Sequence, residues 1–172
     1  MYNIMNSMNE VIKHEDTGFN FNTTLSYGDH KEMNLIGIGS RYKLFFVVYG
    51  VGYYDSDLLI DKSKIFDISS TKGLVLQFYR NVTSELFNET LKSSILSRND
   101  SEEITNNIMK LQNILKDITK INYKDIIHII WENSLLSIYY NNKLIGEINS
   151  NLFAEIVFKC YLDKDTVITG LL

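Results

Sequence analysis

Arg41 is the side chain in this sequence best placed to do chemistry. It closes Gly37-Ile38-Gly39-Ser40-Arg41, a segment that lacks the third glycine of a dinucleotide-binding loop and the Lys-Ser/Thr of a phosphate-binding loop. The residues after Arg41 read as strand rather than helix, so phosphate cradling is a poor account of the glycines. Arg41 itself is a permanently charged fork of donors at the head of an apolar, aromatic run. Turned outward, it is an ordinary charged strand end. Turned inward, it must meet a carboxylate, a ligand anion or several carbonyls, because an unpaired buried charge is too costly.

The other reactive groups are scattered. Tyr49, Tyr53 and Tyr54 come after Arg41 and, as strand residues, are expected to keep their hydroxyls in water. Asp55 and Asp57 read as solvent-facing turn and cap residues rather than as an acid/base pair. His14, His30 and His128 stand alone, and His128, between isoleucines, reads as a satisfied core or exposed-face strand residue. Cys160, the single cysteine, cannot form an intrachain disulfide and is expected to be buried and inert. No cysteine and histidine share zinc spacing, so no metal and no cofactor are expected. Trp131 reads as a core anchor.

These groups need a scaffold, and composition bounds it. The chain has 172 residues, 45% apolar and 22% charged, which suits one domain with a single sizeable core and excludes a disordered tail protein. A net charge of -4 supplies no domain-wide basic field for nucleic acid or anionic lipid. No run approaches the roughly 18 apolar residues of a membrane span. Residues 1–18 lack a basic-then-apolar leader and read as a poorly ordered extension, so the chain is expected to be intracellular, cytoplasmic by default, with an organelle lumen as the alternative. There are only three arginines and no proline, and Arg80 and Arg98 sit at a strand end and a helix end where lysine would serve.

From Phe19 to Arg80 the pattern is extended. Phe19, Phe21, Thr23, Leu25 and Tyr27 alternate on one face of a strand. MNLIGIGS and YKLFFVVYGVGYYD read as two further strands, with a break near Ser40-Arg41. Their internal glycines, Gly37, Gly39, Gly50 and Gly52, mark bulges or close approach of another backbone or a ligand. A short helix is expected at Asp57–Ile65 and a strand at Leu74–Arg80.

The period then changes to 3.6. Phe87, Leu91 and Ile95, with Leu86 beside them, predict a helix over Thr83–Leu96. A second helix starts near Asp100 and carries the stripe Ile104, Ile108, Leu111, Ile114, Leu115, Ile118. Three short strands come next, two of them joined at Asn141-Asn142 as a hairpin, because asparagine tolerates the positive φ of a tight turn. Ser150 caps a last helix, Asn151 to Leu162, so apolar that it must be buried. The result is an α+β domain over residues 19–172: a large antiparallel sheet packed on helices, with its other face partly wet.

LIGIGSRYKLFFVVYGVGYYDSD resembles the signature of the chalcone-isomerase-like family, a Leu-x-Gly-x-Gly-x-Arg strand running into a Val-Tyr-Ala-x-Gly-Leu-Tyr strand. FYRNVTSELFNETLKSSI is similar to that family's Phe-x-Arg-Asp-Val-Ser segment and the helix after it. IIWENSLLSIYYNNKLIGEINSNLFAEIVFKCYL and DKDTVITGLL resemble its hairpin, closing helix and ending, in the same order. The resemblance implies an open-faced β-sandwich with a ligand cleft between sheet and helices, and Arg41 pointing into the cleft.

Two kinds of family member imply two activities. In the isomerases, the arginine polarises a chalcone-like substrate while a threonine, a tyrosine and an asparagine order a proton relay. Here Tyr49 stands at the threonine, Tyr79 matches the tyrosine only with a one-residue shift, and Glu85 falls near the asparagine. In the fatty-acid-binding members, arginine and tyrosine grip a carboxylate, and Arg41 with Tyr49 presents that pair. The resemblance therefore implies a non-catalytic protein holding a fatty acid or similar apolar anion, with Phe46, Val48, Val51, Phe78 and Phe153 as cleft walls. The alternative is an intramolecular lyase using Arg41 and Tyr79 on an enone-like substrate. A third is a ligand-free scaffold for a protein partner, with Arg41 paired to an internal carboxylate such as Glu85.

Overall fold

Thirteen consecutive extended residues, Lys31–Lys43, make the longest strand of this protein, whose computed structural model describes residues 10–28, 31–57, 65–163, 168–169 and 171. In chain order the strands are β1 (Val11–Lys13), β2 (Asn20–Asn22), β3 (Thr24–Tyr27), β4 (Lys31–Lys43), β5 (Phe46–Asp55), β6 (Lys72–Phe78) and β7 (Val82–Thr83). Helices α1 (Ser84–Leu96) and α2 (Glu102–Leu115) come next, then β8 (Lys120–Ile121), β9 (Ile126–Glu132), β10 (Leu135–Tyr140), β11 (Lys143–Asn149), α3 (Asn151–Leu162) and β12 (Ile168–Thr169). The expected helix at Asp57–Ile65 lies largely outside the described residues.

The main sheet is antiparallel throughout, in the order β11-β10-β9-β6-β5-β4. The free edge of β4 is shared: β3 pairs along Lys31–Asn34, and β12 pairs with Ser40 and Arg41. Each helix starts on a hydroxyl cap, Thr83, Ser101 or Ser150, whose side chain accepts a backbone N–H of the first turn. All three helices pack on one sheet face, where Val51, Tyr53, Leu74, Leu76, Phe78, Ile129 and Trp131 alternate inward.

Two sequence expectations about strands are corrected. β4 runs unbroken through Gly37-Ile38-Gly39-Ser40-Arg41, and the turn comes later, at Leu44-Phe45, inside what read as one strand. Two apolar residues make this turn, so composition concealed it. The Phe19–Tyr27 run is not one strand: it bends at Thr23 between β2 and β3, and its Phe21, Leu25 and Tyr27 cover part of the second sheet face, packing with Met33, Tyr54, Val75, Ile130 and Tyr139, while Leu35, Ile38 and Leu144 stay only partly buried. Residues 10–18 take part in this covering layer, because β1 pairs with β2 and His14 hydrogen-bonds Thr17 and Ser40.

The strand glycines make room for these contacts. A Cβ on Gly52 would sit 2.8 Å from the Phe21 ring, and one on Gly37 would sit 2.0 Å from the Leu171 carbonyl oxygen. Gly37 thus lets the C-terminal backbone lie against β4 at a β-bulge.

The polar residues of β5 are also more deeply placed than their types suggest. Tyr53, Tyr54 and Asp55 are buried, Tyr53 donating to Asp55 at 2.6 Å and Tyr54 to the Asn22 carbonyl at 2.8 Å. Asp55 is therefore no solvent-facing turn residue. It faces Lys72, fully buried with its Nζ 3.9 Å away and donating also to Ser70 Oγ at 2.5 Å. Trp131 is a core anchor, buried against Phe158, with its indole N–H donated to the Asn133 carbonyl at 2.7 Å.

Candidate functional site

Between the helix layer and the free end of the β4–β5 hairpin lies a cavity of about 350 Å³, within the range of small-molecule pockets. Strand pairing puts Arg41 directly opposite Tyr49, and both line it. Phe46, Val48 and Phe78 form its sheet wall; Leu86, Phe87 and Leu91 of α1 form the helix wall; Cys160 and Tyr161 of α3 close the inner end. Lys43, Leu44 and Arg80 stand at the hairpin end.

Arg41 is partly buried, and its guanidinium makes no hydrogen bond or ion pair among the described residues. Glu85 is exposed on α1 and does not pair with it. The cavity thus offers an uncommitted cation in an otherwise mostly apolar slot, the condition under which an added anion gains most. Tyr49 is buried beside it; burial pushes its phenol up to about 12 despite the opposing pull of Arg41, so it remains a neutral donor. The buried Tyr161 hydroxyl interacts with that of Tyr49, and its own pKa is raised, first of all by burial. One cation and two coupled phenols therefore converge on the inner end of the slot.

Of the residues named from sequence, the cavity brings together Arg41, Tyr49, Phe46, Val48 and Phe78. Val51 and Phe153 do not line it; both are fully buried in the core beneath it. Tyr79 lies on the other side of β6, half exposed, packed edge-on against Phe19 and Tyr123. Cys160 is buried, its thiol pushed up to about 11 by burial, so it remains protonated at the cavity wall.

Tyr161, Thr90, Ser94 and Leu86 escaped the sequence reading as lining residues. Leu86 carried a signal, an apolar side chain beside the core stripe of its helix. Tyr161 carried none, because its meeting with Tyr49 spans most of the chain.

A second cavity, about 290 Å³, lies on the opposite sheet face, beneath β2. His128 borders it, buried, with Nδ1 lacking a hydrogen-bond partner among the described residues. The expected satisfied core histidine is thus left unsatisfied, and burial lowers its pKa to about 4.

Residues 13–171 match the chalcone-isomerase-like family across nearly the whole fold. The chain belongs to the chalcone-isomerase-like family. Among solved structures, this member is similar to the crystal structure of a fatty-acid binding protein from Arabidopsis thaliana. The TM-score is 0.75 at 17% sequence identity, covering 92% of this chain and 91% of that one. A search of the curated proteins gives no match. The α+β architecture, a large antiparallel sheet packed on helices, is that of the family. No helix among the described residues is long and apolar enough to cross a membrane.

Proposed function

We propose that this family member is a non-catalytic binding protein that holds a fatty acid or similar apolar carboxylate in the Arg41 cavity. The observation that carries the reading is the Arg41 guanidinium, without a partner among the described residues and facing a slot walled by Phe46, Val48, Phe78 and Phe87. A carboxylate would take two charge-assisted N–H donors from the fork and one O–H from Tyr49. Each buried methylene of its chain would add about 0.8 kcal/mol. The fatty-acid binding of the Arabidopsis relative supports the same assignment.

Ring closure on an enone-like substrate is less well supported, because Tyr79, its proposed proton relay, lies outside the cavity. The two readings separate in one set of assays. Displacement of a fluorescent fatty acid by unlabelled fatty acid should be saturable for the native protein and weakened about tenfold or more on Arg41→Ala. Identical binding by the variant overturns the proposal, and turnover of a chalcone would favour the lyase.

A further inference from the structure

Among the described residues, three tight turns join neighbouring strands through two residues, and two of them are built alike. Asn133-Ser134 joins β9 to β10 with Asn133 at φ 54°, and Asn141-Asn142 joins β10 to β11 at φ 48° and 67°. Asparagine is the side chain that tolerates this left-handed backbone. The β4–β5 turn breaks the rule. It places Leu44 at φ 56° and sets Phe45 after it, between the paired residues Lys43 and Phe46.

These apolar side chains are not sheltered. Leu44 is 83% exposed, Phe45 94% and Phe46 55%. A strained turn of exposed leucine and phenylalanine opposes both local conformational preference and solubility, so the fold gains nothing from it. Its position is informative, because Lys43, Leu44 and Phe46 also line the mouth of the Arg41 cavity.

We propose that the Lys43–Phe46 tip is a membrane-docking wedge that seats the cavity mouth on an anionic lipid surface. This inference rests on the fatty-acid reading for its purpose, since a lipid surface is where such a ligand would be collected or delivered. The charges agree. Every charged residue lining the cavity is a cation, Arg41, Lys43 or Arg80, and Arg80 stacks on the Phe46 ring at 4.6 Å. The net charge of -4 over the whole chain does not cancel this rim, because screening confines each charge to about 10 Å at ordinary salt.

Area argues against a protein partner. The three side chains expose on the order of a few hundred Å² of apolar surface, short of the roughly 800 Å² per partner that a stable interface buries. A bilayer needs no such complementary area; two apolar side chains below the headgroups and a cationic rim above them suffice. Tyr79 and Tyr123, both partly exposed, lie at the same end of the sheet, where Tyr79 N–H donates to the Val48 carbonyl.

Flotation with vesicles tests the wedge. The native protein should float with vesicles of equal parts phosphatidylcholine and phosphatidylglycerol, and much less with phosphatidylcholine alone or at high salt. Phe45→Ser, at a residue that does not line the cavity, should lower the vesicle partition about tenfold or more. Lys43→Glu should lower it about tenfold, and Phe45→Ser should bind the fluorescent fatty acid in vesicle-free buffer like the native protein. Native protein that fails to float overturns the proposal, as does Phe45→Ser that floats undiminished. A native dimer in sedimentation analysis that Phe45→Ser converts to monomer, without vesicle binding, would assign the tip to a second copy and overturn it too. Vesicle binding without fatty-acid binding would leave the wedge standing and remove the cavity reading.

Discussion

Arg41 and Tyr49 are a directly opposed cross-strand pair, one residue before a bulge that shifts the β4–β5 register between Arg41 and Tyr42. The pairing sets guanidinium and phenol side by side on the helix-facing side of the sheet, and the bulge re-aims the residues beyond it. β12 pairs with Arg41 from the other edge, through Ile168, so the strand carrying the cation is fixed on both sides. The geometry of the site is thus set by sheet register before any ligand arrives.

Arg41→Lys and Arg41→Ala should separate charge from shape. Lysine keeps the charge but loses the planar fork, so fatty-acid affinity should fall about tenfold, and alanine should cost about 1.5–3 kcal/mol. Affinity for the fatty alcohol of equal length should barely change. Melting temperatures should stay close to native, because Arg41 has no partner among the described residues to orphan; calorimetric titration of acid and alcohol decides the matter.

His128 should give the fold an acid-sensitive stability. Its pKa is about 4 folded against 6.5 unfolded, so the unfolded chain binds the proton first as pH falls. The contribution is intact above about pH 6.5 and declines toward pH 4, a loss of up to about 3 kcal/mol. His14, also lowered mainly by burial, acts in the same direction. Urea unfolding at several pH values should therefore show a shallower slope for His128→Gln; unchanged slopes would refute the assignment.

Leu44→Asn should stabilise the protein. The turn keeps its left-handed backbone, and asparagine relieves a strain of about 0.5–1 kcal/mol that leucine bears there. Chemical denaturation should show a higher midpoint at unchanged slope.

Gly37→Ala should do the reverse. The new methyl would meet the Leu171 carbonyl oxygen, a backbone atom that cannot swing aside, at a cost of about 1–3 kcal/mol. Amide exchange should quicken at Ile168 and Thr169, because the C-terminal strand loses its seat on β4.

Local pattern and tertiary placement divide cleanly in this chain. The three helices, the Ser150 cap and the Asn141-Asn142 hairpin are legible in sequence, because helical period, cap chemistry and turn propensity act between residues a few positions apart; α2 is capped by Ser101, one residue past the Asp100 start that the pattern suggests. The motif around Arg41 carries the family resemblance for the same reason: it is contiguous. The Leu44-Phe45 turn was hidden because its residues contradict the turn rule, and a sequence that obeys another demand there reads as strand. Burial of Asp55 with Lys72, the cover that Phe21 and His14 lay over the second sheet face, and the exclusion of Val51 and Phe153 from the cavity depend on which strands become neighbours. So does the meeting of Tyr161 with Tyr49, across more than a hundred residues. Sequence determined which side chains could hold an anion; only the packing of α1 and α3 over the β4–β5 hairpin decided that Arg41 would face an open slot, since burial and partnership are properties of non-local contacts.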